Sequence, residues 1–333
     1  MTNSSSKLLA ISFQLLLGVG VVRAQTVVSV GAVAPEDTPW HKQLMKYKTD
    51  LEKTSGGAFK VKMFMGGAKG GEDALVRQCA QGSLQMVGVT TGAMASVAPE
   101  LDAFEVPYLF RSYEEADRAL DDPKVIAKVR EILAKKGLVF YFWSENGWRH
   151  FASKGRAIRT PADLKGMKMR SQESKVHIEM WKTLAASPVP ISTPEVLSAL
   201  QTGVVDGFDN TALFAFAASW YQGVKHWTVS DHIYQPAAVV YSKAWFDKLP
   251  KDQQDKLMAD PPGQQKYGRK LIRAMNGPLL ENLSASGIEV IKLSDAEKDA
   301  FAKALAPVAG KVRPHLGAGG AELLDLIKKA GSH

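Results

Sequence analysis

The chain has 333 residues, a formal net charge of +8 and one cysteine, Cys79. A single cysteine excludes an intramolecular disulfide, and the basic balance suits anionic ligands. Nucleic-acid binding is not indicated, because the lysines are scattered and no basic block alternates with aromatic residues. The length exceeds the size at which one hydrophobic core usually keeps growing, so we expect two lobes with a cleft between them.

The N-terminus has the pattern of a secretory signal peptide. Lys7 precedes an uncharged apolar run from Leu8 to Val22, which leads into the small-residue site Val22-Arg23-Ala24. We predict a signal peptide over residues 1–24, with cleavage after Ala24. A membrane anchor is the alternative, but a spanning helix needs roughly 20 apolar residues and this run is shorter. The sequence therefore predicts an exported, periplasmic protein.

The next part of the chain alternates strand and helix patterns. Val27 to Val33 predicts a first strand, and Thr38 can cap a helix that starts at Pro39 and ends at Gly56-Gly57. Further strands are predicted at 59–63, 84–89 and 138–143, and helices at 72–81 and around 125–133. The run at 138–143 is apolar throughout, which is typical of a buried parallel strand.

The second half continues in the same rhythm. Strands are predicted at 167–170, 204–208, 237–241 and 288–291, and helices around Ile178, from Thr193 to before Gly203, and at 212–224. After Asp252 the pattern is helix-rich, with a long segment reaching Leu283 and a capping box of Ser294 and Glu297 ahead of a late helix. This is an α/β chain. No linker separates its lobes, so we expect the chain to cross between them more than once.

Local signatures of catalysis do not occur. The sequence has no GxSxG elbow, HExxH pair or CxxC pair, and its histidines show no close metal-ligand spacing. We therefore predict no catalytic residue, no metal and no cofactor, and interpret the chain as a binding protein rather than an enzyme. The alternatives are a ligand-sensing receptor module and an exported enzyme that acts on a carboxylated substrate.

Two arginines near predicted strands are the strongest candidates for ligand contact. Arg149 lies in ENGWRHFAS, and Arg170 ends a short strand in LKGMKMRSQES. An arginine fork matches a carboxylate, and strand ends are where α/β folds place ligand contacts. The alternative is a structural ion pair with a neighbouring acid such as Glu145 or Glu173. The residues by themselves leave both interpretations open.

Six segments together resemble one family, the solute-binding proteins of tripartite ATP-independent periplasmic (TRAP) transporters, dicarboxylate-receptor type. They are VAPEDTPW from Val33, GGEDALVRQCAQGSLQM from Gly70, APELDAFEVPYLF from Ala98, ENGWRHF from Glu145, RTPADLKGMKMR from Arg159 and ALQTGVVDGFDN from Ala199. The similarity runs from Val27 to about Lys292. It implies capture of a small organic carboxylate for a TRAP membrane permease, by a protein that we expect to be a monomer.

The resemblance also implies a fold and a division into lobes. The fold is α/β, a two-lobed periplasmic binding protein fold of type II-like architecture with long connecting helices. We place residues 25–146 with 236–275 in lobe 1, and residues 147–235 with 276–333 in lobe 2.

By position, the resemblance assigns three ligand contacts. Arg170 is the carboxylate clamp, Arg149 assists it, and Asn210 at the end of VVDGFDN contacts the ligand. Thr90 and Glu72 lie in segments that edge the cleft in such receptors.

The remaining predicted site residues are aromatic or replace an aromatic. Trp40 edges the cleft in the resemblance, but it also lies on the apolar stripe of its helix, so a core position is the alternative. Thr193 stands where the family often has an aromatic residue. Phe208 and Phe214 are the candidates to replace that wall, with core positions as the alternative for both, and Phe214 is included in the predicted site.

Overall fold

The computed structural model describes residues 25–332. In this region one mixed sheet of nine strands forms the centre of the molecule. The strands are β1 Thr26–Gly31, β2 Phe59–Phe64, β3 Met86–Thr90, β4 Leu138–Ser153, β5 Lys168–Ser171, β6 Ser187–Pro190, β7 Gly207–Asn210, β8 His226–Ser242 and β9 Glu289–Lys292. The predicted signal peptide, residues 1–24, lies outside the described residues.

Two long strands join the halves of the sheet. The strand order is β2-β1-β3-β8-β4-β7-β5-β6, with β9 added to β8. β4 and β8 have 16 and 17 residues and pair antiparallel from Leu138↔Ser242 to Ser153↔His226. β3 continues the sheet from one end of this pair, and β7 continues it from the other. Within the sheet of the described region, the paired strands β4 and β8 therefore join the two halves.

The prediction of a parallel strand at 138–143 was wrong. β4 is antiparallel to both of its neighbours, β8 and β7. Its apolar run reflects burial on both faces of the sheet, because Phe140 and Trp143 lie in one hydrophobic cluster and Tyr141 and Phe142 in another. Covering both faces removes the polar alternation that normally distinguishes an antiparallel strand.

Helices cover both faces of the sheet. The described region contains α1 Pro39–Thr54, α2 Glu72–Ala80, α3 Thr91–Met94, α4 Tyr113–Asp121, α5 Pro123–Lys135, α6 Lys175–Thr183, α7 Val196–Gln201, α8 Ala212–Ala217, α9 Lys243–Phe246, α10 Lys251–Leu257, α11 Pro261–Arg273, α12 Asn276–Ala285, α13 Asp295–Leu305 and α14 Pro307–Gly331. Short 3-10 segments occupy Pro99–Glu105, Pro161–Leu164, Thr193–Glu195 and Trp220–Gly223. None of the described helices is long and apolar enough to cross a membrane.

Helix starts were predicted well because their signals are local. The Thr38 hydroxyl accepts a hydrogen bond from the backbone of His41, and α1 starts at Pro39. Both bonds of the Ser294–Glu297 capping box are present at the start of α13. These bonds satisfy amides that a helix N-terminus leaves unpaired.

Several elements differ from the predictions, and β4 extends to Ser153 instead of ending near residue 143. β8 starts at His226, eleven residues before the predicted Ala237. The helix predicted at 212–224 ends at Ala217, because Ser219 adopts a left-handed conformation with φ of 60°. The long segment ending near Leu283 is divided into α11 and α12.

β7 starts at Gly207 rather than at Val204, and its close pairing with β4 explains the glycine. A Cβ on Gly207 would lie 2.2 Å from the carbonyl oxygen of Ala152, closer than real contacts allow. This approach brings Asp209 and Asn210 against β4, opposite Phe151 and His150.

The lobe boundaries remain a prediction. α14 contacts α4 and α5 of the predicted first lobe, and also α6 of the predicted second lobe. α14 is kinked at Gly317, where φ is 65°, and its two parts together connect the predicted lobes rather than belonging to one of them.

Candidate functional site

One cavity of about 60 Å³ lies against the middle of the sheet, and all eight predicted site residues line it. They are Trp40, Glu72, Thr90, Arg149, Arg170, Thr193, Asn210 and Phe214. Gln235, Ala237 and Val239 of β8 contribute alternate positions to the same lining, so one face of this central strand forms its base. Residues far apart in sequence are brought together because β3, β8, β4, β7 and β5 are successive neighbours in the sheet.

Arg170 is buried without a counterion. Its exposed fraction is 3%, its Nε donates to the carbonyl of Ile191 at 2.9 Å, and its guanidinium stacks over Trp220 at 5.2 Å. Between residues 25 and 332 no carboxylate forms a salt bridge with it, so the alternative pairing with Glu173 is not present. Burial, followed by the like charge of Arg149, lowers the pKa of Arg170 to about 10. The side chain is therefore still a cation at neutral pH, and its Nη groups form no hydrogen bond with residues 25–332.

Arg149 has the opposite environment. Its Nε donates to Oδ2 of Asp209 at 2.6 Å, its Nη2 to the Asp209 carbonyl at 2.5 Å, and its Nη1 to Gln235 at 2.7 Å. The ion-pair interpretation thus holds for Arg149, but with Asp209 rather than Glu145, which instead pairs with Arg273 at 2.8 Å. Burial alone would raise the pKa of Asp209, but the charge of Arg149 holds it well below its usual range.

Asn210 has an oriented amide. Its Oδ1 accepts from Nδ2 of Asn146 at 2.9 Å and from the backbone amide of Thr211 at 2.8 Å. Since these bonds fix the oxygen, Nδ2 is left on the opposite side of the amide without a protein acceptor in the described region. Asn210 lines the cavity, and the free amide protons are donors that a carboxylate can use.

Glu72 and Thr90 bind to each other. The carboxylate of Glu72 accepts from the backbone amide of Thr90 at 2.8 Å and from its hydroxyl at 2.9 Å, and that hydroxyl also accepts from Gln172 at 2.8 Å. Burial raises the pKa of Glu72. Since the only proton of the Thr90 hydroxyl goes to Glu72, Thr90 shapes the wall of the cavity and offers it no free donor.

Trp40 and Phe214 form an aromatic wall. Their ring centroids are 5.9 Å apart, and Nε1 of Trp40 donates to the carbonyl of Glu145 at 2.8 Å. Phe208 is a core residue, fully buried against Trp220 with ring centroids 5.2 Å apart. Of the two phenylalanines considered as a wall, only Phe214 lines the cavity, together with Thr193.

A network of buried polar side chains holds the residues that form the base of the cavity. Gln235 donates to Glu105 and to Gln172, both at 2.8 Å, while His177 pairs with Glu105 at 2.8 Å. Burial would raise the pKa of Glu105, but its hydrogen bond to His177 and the charge of that ring hold it below its ordinary value. These bonds fix the base of the cavity before any ligand arrives.

Five polar lining residues were not predicted: Gln43, Ser144, Asn146, Gln172 and Gln235. Asn146 and Gln172 lie three residues before and two residues after the two predicted arginines, in the segments already singled out, so their position was the available signal. Gln235 lies in the part of β8 that the pattern did not indicate as strand.

Chemically, the arrangement offers charge and hydrogen-bond donors. Among residues 25–332 no group of three or more His, Cys, Asp or Glu side chains could hold a metal ion. Cys79 lies outside the cavity on the buried face of α2, and burial raises the pKa of its thiol.

A family model described as "Bacterial extracellular solute-binding protein, family 7" matches residues 30–313. The chain belongs to this family, which confirms the resemblance to TRAP solute-binding proteins. A relative, the 2,3-diketo-L-gulonate-binding periplasmic protein YiaO of Escherichia coli, is 30% identical over 80% of this chain and 80% of its own. Another, the C4-dicarboxylate-binding periplasmic protein DctP of Rhodobacter capsulatus, is 28% identical over 96% of each chain.

Solved structures agree with the predicted fold. The sugar acid binding protein DctPAm of Advenella mimigardefordensis, in complex with galactonate, is 30% identical, with a TM-score of 0.86 over 92% of this chain and 99% of that one. A TRAP periplasmic solute-binding protein of Polaromonas sp. JS666, bound to D-erythronate, is 28% identical, with a TM-score of 0.85 over 91% and 98%. The two-lobed α/β fold is therefore confirmed.

Proposed function

We propose that this protein captures a small organic carboxylate in the cavity, outside the cytoplasm, and delivers it to a TRAP membrane permease. The observation that carries the proposal is the buried guanidinium of Arg170, which has no counterion among residues 25–332. A buried cation without a partner is costly, and a ligand carboxylate supplies the missing charge and acceptors. The solved relatives bound to galactonate and D-erythronate support a carboxylate, since both ligands carry one.

Arg170, Asn210 and Arg149 have different roles in binding. Arg170 presents its two Nη groups to the carboxylate as a bidentate fork, and Nδ2 of Asn210 donates a further hydrogen bond. Arg149 does not act as a second clamp, because Asp209 already occupies its fork. It positions Gln235 in the base of the cavity instead.

Binding energy is used for closing the cleft. The lining combines Arg170 and Asn210 from one half of the sheet with Trp40, Glu72 and Thr90 from the other. A ligand that contacts both halves stabilises the closed arrangement over an open one by its difference in affinity for the two. The membrane permease then recognises the closed form.

The proposal is tested by calorimetry with a panel of carboxylates on the wild type and on Arg170→Met, which keeps most of the packing volume and removes the charge. We expect at least one carboxylate to bind the wild type, and its affinity to fall at least about a hundredfold in the variant, the cost of an unpaired buried charge. The primary amide of the same acid should bind weakly to both proteins.

The matched control is Arg159→Met, which removes an exposed arginine that forms a surface salt bridge with Glu289. This variant should bind like the wild type. Wild-type affinity in folded Arg170→Met, or no binding of any carboxylate by the wild type, would contradict the proposal.

A further inference from the structure

The two ends of the cavity differ in chemistry. Around Arg170 the lining is polar, with Asn210 and Thr193 beside it. Small and aliphatic side chains come from β8 and from the elements beyond it, away from β5 in the strand order: Ala32, Ala34, Leu44, Ala237 and Val239. They define the opposite end. Four of these five, all except Ala237, belong to the hydrophobic cluster between the sheet and α1. This end of the cavity is thus an extension of the core.

The polar groups that border the apolar end are already paired. Ser144 donates to Oε1 of Gln43 at 2.7 Å, and Nε2 of Gln43 donates to the carbonyl of Gln264 at 2.9 Å. Glu72 and Thr90 are likewise bonded to each other. A ligand hydroxyl placed here would lose water without gaining a full set of partners, at a cost of roughly 1–3 kcal/mol each. The site therefore disfavours a chain of hydroxyl groups.

The charges of the lining favour one ligand carboxylate rather than two. Its only cations within the described chain are Arg149 and Arg170, and Asp209 neutralises the first. The remaining charged group of the lining is Glu72, an acid. A second ligand carboxylate would therefore be buried without a cation and near a like charge, which is unfavourable.

The size of the cavity also limits the ligand. Its volume is about 60 Å³. A compact acid with few heavy atoms fits this volume better than an extended sugar acid.

We propose that the preferred ligand is a short aliphatic monocarboxylate, with at most one further oxygen beside the carboxylate, and neither a C4-dicarboxylate nor a polyhydroxylated sugar acid. This inference rests on the proposed function. The carboxylate pairs with Arg170, an adjacent oxo or hydroxyl oxygen lies near Asn210 and Thr193, and the alkyl group packs on Leu44 and Val239.

The first test compares three probes by calorimetry on the wild type: 3-methyl-2-oxobutanoate, succinate and galactonate. We expect the branched oxo acid to bind at least about tenfold more tightly than either of the others. Tighter binding of succinate or galactonate, lost in Arg170→Met, would overturn the ligand class and leave the proposed function standing. Failure of every carboxylate to bind would overturn the proposed function itself, and this inference with it.

The second test places the alkyl group. Val239→Thr puts a hydroxyl at the apolar end with little change of shape, and we expect about tenfold weaker binding of 3-methyl-2-oxobutanoate. The matched control is Val240→Thr, the next residue of β8, which is equally buried but packs in the cluster on the other face of the sheet. It should bind the acid like the wild type. Equal affinity losses in the two folded variants would overturn the placement.

Discussion

Arg149 and Arg170 lie in the lining of one cavity, yet their surroundings are opposite. Both side chains are almost fully buried, with exposed fractions of 1% and 3%. Arg149 donates to Asp209, Asn210 and Gln235, whereas among residues 25–332 Arg170 donates only to the carbonyl of Ile191. The first arginine is thus part of the folded framework, and the second depends on what enters the cavity.

Because of this difference, one part of the site is held in place before binding while another part can still bind a ligand. The Arg149 side is pre-organised by protein hydrogen bonds, so the ligand does not have to order it on binding. The Arg170 side has unused binding capacity, because among residues 25–332 no carboxylate forms a salt bridge with its guanidinium. The predictions below test this contrast between a framework cation and a ligand-dependent one.

The largest expected effect is on stability in the absence of ligand, measured by urea unfolding of Arg149→Met and Arg170→Met. Arg149→Met leaves the Asp209 carboxylate buried without its cation, and its Oδ1 already has no partner. We expect a loss of about 3–5 kcal/mol in the free energy of unfolding. Arg170→Met removes the cost of burying an unpaired charge, but it also removes the hydrogen bond to Ile191 and the contact with Trp220. Because these changes offset each other, its free energy of unfolding should stay within about 1 kcal/mol of the wild type.

The two substitutions are chemically identical and serve as controls for each other. Equal losses of stability would show that Arg170 is also a framework residue. Such a result would remove the contrast between the two sites, whatever the ligand affinity of the variants.

The surroundings of Arg149 could not be predicted from the sequence. For Arg170 the local pattern shows its position near a strand end, and its role as a clamp came from the family resemblance. The partner of Arg149 is Asp209, 60 residues away, and the two meet only because β7 pairs antiparallel with β4. A strand pairing of this kind is a long-range property that local periodicity does not determine.

The same limit applies to the fold. Caps and proline starts placed α1 and α13, because their bonds lie within one helical turn. The first half of β8 was missed, because its polar residues break the expected alternation. Thr228, Ser230 and His232 are buried there by partners that come from other elements.

The next largest expected effect is a pH dependence of the free energy of unfolding that arises from His150 in β4, the strand that carries Arg149. Burial lowers the pKa of His150, the neighbour of Arg149, to about 4. Between pH 6.5 and 4 the unfolded chain therefore binds a proton at this residue that the folded chain does not, so stability falls as the pH falls. At pH 5 the contribution is about 2 kcal/mol relative to pH 7.5.

The measurement is urea unfolding of the wild type and His150→Gln at pH 7.5 and pH 5.0. Since glutamine does not titrate, the variant should lose about 2 kcal/mol less than the wild type on acidification. Groups that do not interact with His150 contribute equally to both proteins, so only the difference is informative. An identical pH dependence would mean that His150 has the same pKa in the folded and the unfolded chain, so that burial does not disfavour its charged form.

The smallest expected effect is a difference in ligand affinity and stability between variants of two asparagines in the cavity lining, Asn146 and Asn210. Nδ2 of Asn146 donates to Asn210 and to Gln235, so it is fully used within the protein. Nδ2 of Asn210 has no protein acceptor in the described region and faces the cavity. Asn210→Ala should therefore weaken binding of the carboxylate about tenfold, the value of one hydrogen bond to a charged group.

Asn146→Ala is the matched variant. Calorimetry measures the ligand affinity and urea unfolding the stability, and the two measurements should rank the two variants in opposite orders. Asn210→Ala should lose more ligand affinity. Asn146→Ala should lose more stability, because it removes two buried hydrogen bonds that Asn146 donates and the one it accepts from the Thr211 hydroxyl. If both variants lost affinity and stability in the same proportion, the amides would act as one unit. Of the two residues, only Arg170 would then be a ligand contact, and Asn210 would belong to the framework.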